Sequence, residues 1–255
     1  MFNIQKVIFT SFCIFSILVT QAVAAEQKRH LVGGAQYLQL KTSKGQPFAA
    51  YVAGPEHAKQ GLLLIHGWWG LNEEMEAWAN QFAVAGYLVM AVDLFNQEVT
   101  TVPKKARALM NGVKQSVAND KYMAVIKALS APGRKLAILG RSYGANQALH
   151  AAIVAQEKVS ATIVYYPFGE VITDKKILNA IKTPILGHFA QHDNFFTPDM
   201  LARFTAAIKN SGVTMTVNMY DAQHAFTNPA GKNFNMSAFR LSQQRTFEFL
   251  EKNLN

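Results

Sequence analysis

A repeated alternation of short apolar runs and helix-forming stretches constrains the fold of this 255-residue chain most strongly. Continuous apolar strands separated by amphipathic helices are typical of a parallel sheet that helices cover on both faces. We therefore predict an α/β fold with a mostly parallel sheet, and an N-terminal hairpin joined by a Ser-Lys-Gly-Gln turn. The apolar runs lie at 37–40, 48–52, 62–65, 88–92, 135–139, 161–165, 184–189 and 214–220, and the main helical patterns at about 73–85, 104–129, 198–209 and 237–253.

The pentapeptide Gly140-Arg141-Ser142-Tyr143-Gly144 links one apolar run to an alanine-rich, helix-forming stretch. A G-x-S-x-G pattern between a strand and a helix is typical of a nucleophile elbow, a turn so tight that its flanking positions accept almost no side chain. Such a turn lifts the serine hydroxyl above the sheet and aims the N–H groups of the helix N-terminus at any anion formed there. We therefore interpret Ser142 as a nucleophile rather than as part of a glycine-rich connector.

Two residues after later strands supply the partners that a serine nucleophile requires. A serine hydroxyl is weakly nucleophilic, so it needs a base, and the base needs an orienting acid. His224 follows the last predicted strand, and Asp193 follows the strand before it. The order Ser142, Asp193, His224 is that of an α/β-hydrolase triad, and ligand sites of parallel sheets lie at the carboxyl ends of the strands. His66 and Asp93 also follow strands but precede the serine, so we exclude them from the predicted triad.

An acyl-transfer site also requires two N–H donors for the oxyanion. The backbone of Tyr143, directly after the nucleophile, is one candidate. The second is expected in the loop after the strand 62–65, where the sequence reads His-Gly-Trp-Trp-Gly, and we choose the backbone of Trp68. Apolar side chains near these positions predict a substrate pocket, although we expect at least two of them to belong to the core. The predicted pocket residues are Trp68, Trp69, Phe195, Phe196 and Phe226.

The remaining polar residues indicate no metal ion, no cofactor and no nucleic-acid partner. His188 and His192 lie about 13 Å apart on an extended strand, too far to share one ion, so we interpret them as structural or rim residues. Asp221 adjoins His224 and is interpreted as support for its loop. The net charge is +9, but the basic residues are scattered pairs and form no dense binding face.

The first 25 residues predict an export signal, followed by a single domain at 26–255. Lys6 supplies the positive start, an apolar stretch follows, and Ala22-Val23-Ala24-Ala25 provides a small-residue cleavage site. Cys13, the single cysteine of the chain, lies within this signal, so the exported protein has no thiol and no disulfide. The alternative is an uncleaved anchor, which the cleavage site disfavours. We expect a periplasmic or secreted protein with no stable membrane anchor after cleavage.

With these residues in place, the chain resembles the dienelactone hydrolase family of α/β-hydrolases from about residue 48 onwards. The segments that carry the resemblance are 66–72, the elbow 140–144, the strand end 165–169, the Asp193 loop with Pro198, and 220–226. The resemblance implies an α/β-hydrolase fold.

This chain departs from the type enzymes of that family at the nucleophile and at the substrate grip. The type enzymes have a cysteine where this chain has Ser142 and a glutamate where it has Gly67. The two differences are consistent with each other, because a hydroxyl activated by histidine does not need the carboxylate that controls a thiol. The family's polar serine and its substrate-gripping arginine fall on Ala225 and Asn228, so the resemblance implies no grip on a substrate carboxylate.

These observations together predict an exported serine hydrolase that cleaves a small carboxylic ester or lactone through an acyl-enzyme. A serine peptidase is the nearest alternative, because the same scaffold hosts several hydrolytic reactions. A non-catalytic binding protein on a hydrolase scaffold is the alternative from another class. The presence of all three predicted triad residues disfavours it.

Overall fold

The computed structural model describes residues 34–255, so the predicted export signal and Cys13 lie outside the described residues. Its strands are β1 Gln36–Lys41, β2 Pro47–Ala53, β3 Gln60–Ile65, β4 Leu88–Val92, β5 Lys135–Arg141, β6 Ala161–Tyr165, β7 Ile185–Ala190 and β8 Met215–Tyr220. They form one eight-stranded sheet in the order β1-β2-β4-β3-β5-β6-β7-β8. The pairs β1–β2 and β2–β4 are antiparallel, and all other neighbours are parallel. The predicted hairpin and mostly parallel sheet are confirmed.

The helices are α1 Glu73–Val84, α2 Pro103–Gly112, α3 Gln115–Leu129, α4 Tyr143–Ala155, α5 Lys175–Leu178, α6 Pro198–Asn210 and α7 Met236–Leu254. The helical pattern predicted at 104–129 is divided between α2 and α3, because Val113 and Lys114 have extended backbone angles. The short helix α5 had no sequence prediction. Within residues 34–255, none of the helices combines the length and the apolarity that crossing a membrane requires.

Helices cover both faces of the sheet, because successive strand residues point to opposite sides. On one face, Leu62 and Leu64 of β3 belong to a core completed by α1 and α7. On the other face, Leu63 and Ile65 belong to a core completed by α3, α4 and α6. The fold is therefore that of an α/β-hydrolase, and the carboxyl ends of its parallel strands share one edge of the sheet.

Candidate active site

The turn between β5 and α4 consists of Ser142 alone, with backbone angles φ 54° and ψ −122°. A side chain on either flanking glycine would collide with backbone: a Cβ on Gly140 would lie 1.9 Å from the carbonyl oxygen of Gly144, and a Cβ on Gly144 would lie 2.3 Å from that of Ile65. The predicted tight turn is therefore confirmed. A non-glycine residue in such a conformation stores on the order of 1–3 kcal/mol of strain, which the surrounding structure must support.

Ser142, His224 and Asp193 form a continuous hydrogen-bonded chain. The Oγ atom of Ser142 lies 2.9 Å from Nε2 of His224, and Nδ1 of His224 lies 2.8 Å from Oδ2 of Asp193. The other carboxylate oxygen, Oδ1, accepts the N–H groups of Phe195 and Phe196 at 2.8 and 3.0 Å. An ionised carboxylate can only accept hydrogen bonds, so Nδ1 of His224 carries the proton and Nε2 is left to accept from Ser142.

Two aromatic rings pack against the imidazole of His224, and its own loop holds its backbone. The ring centroids of Tyr166 and Phe195 each lie 5.0 Å from that of His224, both in edge-on geometry. The side-chain amide of Asn233 donates to the carbonyl oxygen of His224 at 2.9 Å. These contacts leave His224 only 7% exposed, so its orientation is set by packing as well as by Asp193.

The two predicted oxyanion donors belong to segments that lie next to Ser142. Tyr143 is the first residue of α4, and an N–H group at that position has no acceptor within the helix. Trp68 belongs to the loop after β3, and this loop packs against the elbow: a Cβ on Gly67 would lie 3.8 Å from Cβ of Ser142. The loop after β3 and the helix N-terminus therefore both lie next to Ser142.

The residues excluded from the triad have structural contacts instead. His66 is fully buried, donates from Nδ1 to the carbonyl oxygen of Gly67 at 2.7 Å, and accepts the N–H of Leu94 on Nε2 at 3.1 Å. Burial lowers the pKa of His66, so the neutral ring joins the loops after β3 and β4. The carboxylate of Asp93 accepts two backbone N–H groups of the turn that follows it.

Four aromatic side chains form a connected cluster beside the site. Trp68 contacts Trp69 and Phe168, with ring centroids 4.4 and 5.5 Å apart, and Phe168 contacts Phe195 at 5.0 Å. Phe168 was missing from the predicted pocket, although it lies in the Tyr-Tyr-Pro-Phe-Gly strand end that carries the family resemblance. Trp68 and Trp69 line the cavity beside Ser142, and Phe195 lies outside that lining but contacts the imidazole of His224.

The prediction that Phe196 and Phe226 line the pocket is wrong. Phe196 is 3% exposed and packs against Phe189 and Phe204, in the core below the Asp193 loop. Phe226 is fully buried and packs against Tyr220 in the core on the opposite face of the sheet. The expectation that at least two of the predicted pocket aromatics belong to the core is confirmed.

A buried ion pair lies beside Ser142. The guanidinium of Arg141 lies over the ring of Trp78 at 4.2 Å, donates to Oε1 of Glu74 at 2.5 Å and to Oγ1 of Thr227 at 3.2 Å. Arg141 and Glu74 line a cavity of about 50 Å³ beside Ser142. No sequence motif predicted this pair. The carboxylate of Glu74 matches the positive charge of Arg141, so the cavity has no unpaired cation from this arginine.

His188 and His192 do not contact each other and have separate partners. His188 is buried, with Nδ1 2.7 Å from the hydroxyl of Tyr220 and Nε2 3.0 Å from Oγ1 of Thr246. His192 lies on the surface, with Nε2 2.8 Å from Oδ1 of Asp221. His188 is therefore a structural residue of the core, and His192 and Asp221 form a surface pair.

Comparison with known proteins gives the family. Residues 48–254 match the dienelactone hydrolase family. The chain belongs to this family. It is therefore a dienelactone hydrolase-like hydrolase, and the match covers every parallel strand and every residue of the candidate site described above.

Individual relatives have low sequence identity to this chain, but the alignments cover most of both chains. A Saccharolobus solfataricus protein provisionally named a carboxymethylenebutenolidase is 26% identical over 251 residues, spanning 82% of this chain and 96% of the relative. A protein of the same provisional name from Azospirillum brasilense is 28% identical over 227 residues, spanning 81% and 94%. The crystal structure of a dienelactone hydrolase-like promiscuous phosphotriesterase from metagenomic libraries superposes with a TM-score of 0.75 at 16% identity, covering 87% of this chain and 99% of that one.

Proposed function

We propose that this protein is an exported serine hydrolase that cleaves small, neutral carboxylic esters or lactones through an acyl-enzyme. The observation that carries the proposal is the hydrogen-bonded chain from Ser142 through His224 to Asp193, which begins at the strained turn between β5 and α4. A nucleophile, a base and an orienting acid in contact are the parts that acyl transfer requires.

In the first half of the reaction, Oγ of Ser142 bonds to the substrate carbonyl carbon while Nε2 of His224 takes its proton. The negative charge that forms on the carbonyl oxygen accepts hydrogen bonds from the N–H groups of Tyr143 and Trp68. The C–O bond to the leaving group then breaks, and His224 gives its proton to the departing oxygen. The acyl group remains on Ser142, and the charge on the imidazole is stabilised by Asp193 throughout.

In the second half, water takes the place of the leaving alcohol. His224 removes a proton from water as its oxygen bonds to the acyl carbon, and the same two N–H groups bind the oxyanion. The bond to Oγ then breaks and the serine recovers its proton from His224. The products are the carboxylic acid and the free enzyme.

Preference for a neutral substrate follows from the charges around Ser142. The positive charge of Arg141 is matched by Glu74 at 2.5 Å, and Ala225 and Asn228, which also line the cavity, are uncharged. An unpaired carboxylate in such a cavity costs several kcal/mol. Phenyl propanoate should therefore be hydrolysed with at least tenfold higher kcat/KM than monophenyl malonate, which has nearly the same size, and the reverse order would show that a cation reaches the cavity.

A fluorophosphonate probe on the purified protein tests the nucleophile. Wild-type protein should be labelled and should hydrolyse phenyl acetate, and Ser142→Ala should lose both while retaining its circular dichroism spectrum. Ser116→Ala, which changes an exposed serine of α3, is the matched control and should behave as wild type. Labelling of the Ser142→Ala protein at the wild-type level would exclude Ser142 as the nucleophile.

Export is tested separately by fractionation of the native host. The mature chain should be found outside the cytoplasm with its N-terminus near Ala25 or Glu26. Recovery from the cytoplasm with Met1 retained would contradict the export signal without affecting the proposed chemistry.

A further inference from the structure

Two surfaces lie beside Ser142 and His224. One is the cavity of about 50 Å³ that Glu74 and Arg141 line. The other is a cluster of Phe168, Phe195 and Trp68, here named the aromatic wall, in which neighbouring ring centroids lie 5.5 and 5.0 Å apart; Trp68 also lines the cavity. The wall reaches solvent, because Phe195 is 44% exposed.

The small cavity limits one half of a substrate to a few atoms. One water molecule needs about 10–15 Å³ of free cavity space, so a cavity of about 50 Å³ admits a group of about three to five heavy atoms. An acyl group from acetyl to butanoyl fits this limit, and a hexanoyl chain does not.

Glu74 is the residue that makes the cavity small. Its side chain and that of Asn72 line both this cavity and a neighbouring cleft of about 580 Å³, so they stand between the two spaces. Both residues are held in place: Glu74 accepts from Arg141 at 2.5 Å, and Asn72 caps α1 by accepting the N–H of Met75 at 3.2 Å. Glu74 therefore acts as a fixed partition.

The aromatic wall lies beside His224, the residue that transfers the proton. The ring centroids of Phe195 and Phe168 lie 5.0 and 6.2 Å from that of His224. Under the proposed mechanism, His224 gives its proton to the leaving oxygen. Because His224 borders both the small cavity and these rings, a leaving group too large for the cavity lies against the rings. Aromatic rings pair favourably at centroid separations of about 4.5–7 Å, which favours an aryl leaving group.

We infer that the site is built for aryl esters of short-chain carboxylic acids and that Glu74 is the residue that limits acyl length; this inference rests on the proposed serine-hydrolase function. The acyl half enters the small cavity and the aryl half lies against the aromatic wall. The larger cleft beyond Glu74 remains closed to the acyl chain.

A series with one leaving group tests the acyl limit. For wild-type protein, kcat/KM should fall at least about tenfold from phenyl acetate to phenyl hexanoate, since misfit of even one methylene costs about 10- to 200-fold. Glu74→Ala should raise the ratio of hexanoate to acetate hydrolysis at least about tenfold, because it joins the small cavity to the larger cleft. Glu74→Gln keeps the length of the side chain and should keep the wild-type ratio.

Several outcomes of this series overturn the inference. Equal hydrolysis of acetate and hexanoate by wild type contradicts the acyl limit, and an unchanged ratio in Glu74→Ala contradicts the partition. A shift in Glu74→Gln as large as that in Glu74→Ala assigns the effect to charge rather than volume. If Glu74→Ala does not fold, Glu74→Asp, which retains the carboxylate and removes one methylene, should shift the ratio in the same direction.

The aromatic wall is tested by the ratio of kcat/KM for phenyl acetate to kcat/KM for trifluoroethyl acetate. A change of this ratio between variant and wild type does not depend on the intrinsic reactivity of the phenyl ester. Phe195→Ala should lower kcat/KM for phenyl acetate about two- to tenfold relative to trifluoroethyl acetate, and Phe195→Tyr should keep the wild-type ratio. An equal loss of kcat/KM on both esters would contradict a contact between Phe195 and an aryl leaving group. Failure of the proposed function itself has a different result: wild type would hydrolyse none of these esters, or Ser142→Ala would hydrolyse them equally well.

Discussion

Replacement of Asp193 by asparagine tests the proposed triad sharply, because the hydrogen bonds of Asp193 determine which way the new amide must face. Oδ1 accepts the N–H groups of Phe195 and Phe196, so the amide oxygen must occupy that position. The NH₂ group then points at Nδ1 of His224. The imidazole must accept there and carry its proton on Nε2, 2.9 Å from Oγ of Ser142, where it can no longer remove the serine proton.

The magnitude follows from the cost of turning the amide round. The reversed amide would leave the buried N–H of Phe196 and the half-buried N–H of Phe195 without an acceptor, at about 1–3 kcal/mol each. A total of at least about 2 kcal/mol keeps the reversed form below roughly one molecule in 30. We therefore expect Asp193→Asn to lower kcat by at least about 30-fold, and by up to about 10⁴-fold, the loss that this change causes in a serine protease triad.

Steady-state hydrolysis of phenyl acetate measures this effect, with kcat and KM determined separately and the fold checked by urea unfolding. KM should change little, because Asp193 lies behind His224 and does not reach the substrate. Asp221→Asn is the matched control, since Asp221 also lies 2.8 Å from a histidine nitrogen but is 86% exposed, and its kcat should stay within about twofold of wild type. If Asp193→Asn retains more than a third of the wild-type kcat in a folded protein, Asp193 does not set the tautomer of His224.

Two further predictions concern stability. Burial, with a smaller contribution from Arg245, lowers the pKa of His188 to about 3, whereas an unfolded histidine titrates near 6.5. The unfolded chain therefore binds one more proton between these values, and this group lowers the free energy of unfolding by about 1.4 kcal/mol per pH unit as the pH falls from about 6.5 towards 3. Urea unfolding of His188→Gln should show a correspondingly shallower dependence on pH, and parallel curves for the two proteins would contradict the assignment. Within residues 34–255, the amide of Gln243 is buried with no hydrogen-bond partner, so Gln243→Met should raise the free energy of unfolding by about 1 kcal/mol, and a measured decrease would show that the amide is satisfied.

Much of the fold and the arrangement of the candidate triad could be predicted from local sequence. Apolar runs that alternate with helices determine a parallel sheet with helices on both faces, because a continuously apolar strand has no polar face to expose to water. The glycines around Ser142 predict the tight turn, since a Cβ at Gly144 would lie 2.3 Å from backbone. Residues that follow parallel strands meet at one edge of the sheet. The positions of Asp193 and His224 along the chain therefore predict that these two residues lie close together.

The identity of the pocket side chains was decided only by the tertiary structure. Phe195 and Phe196 are neighbours of equal hydrophobicity, yet one is 44% exposed and the other 3%, because the turn held by Asp193 directs them to opposite sides. The partition formed by Glu74 joins α1 to Arg141, 67 residues later in the chain. Hydrophobic patterns report burial along one element, whereas the direction of a loop side chain and the partner of a buried charge depend on packing between elements that are distant in sequence.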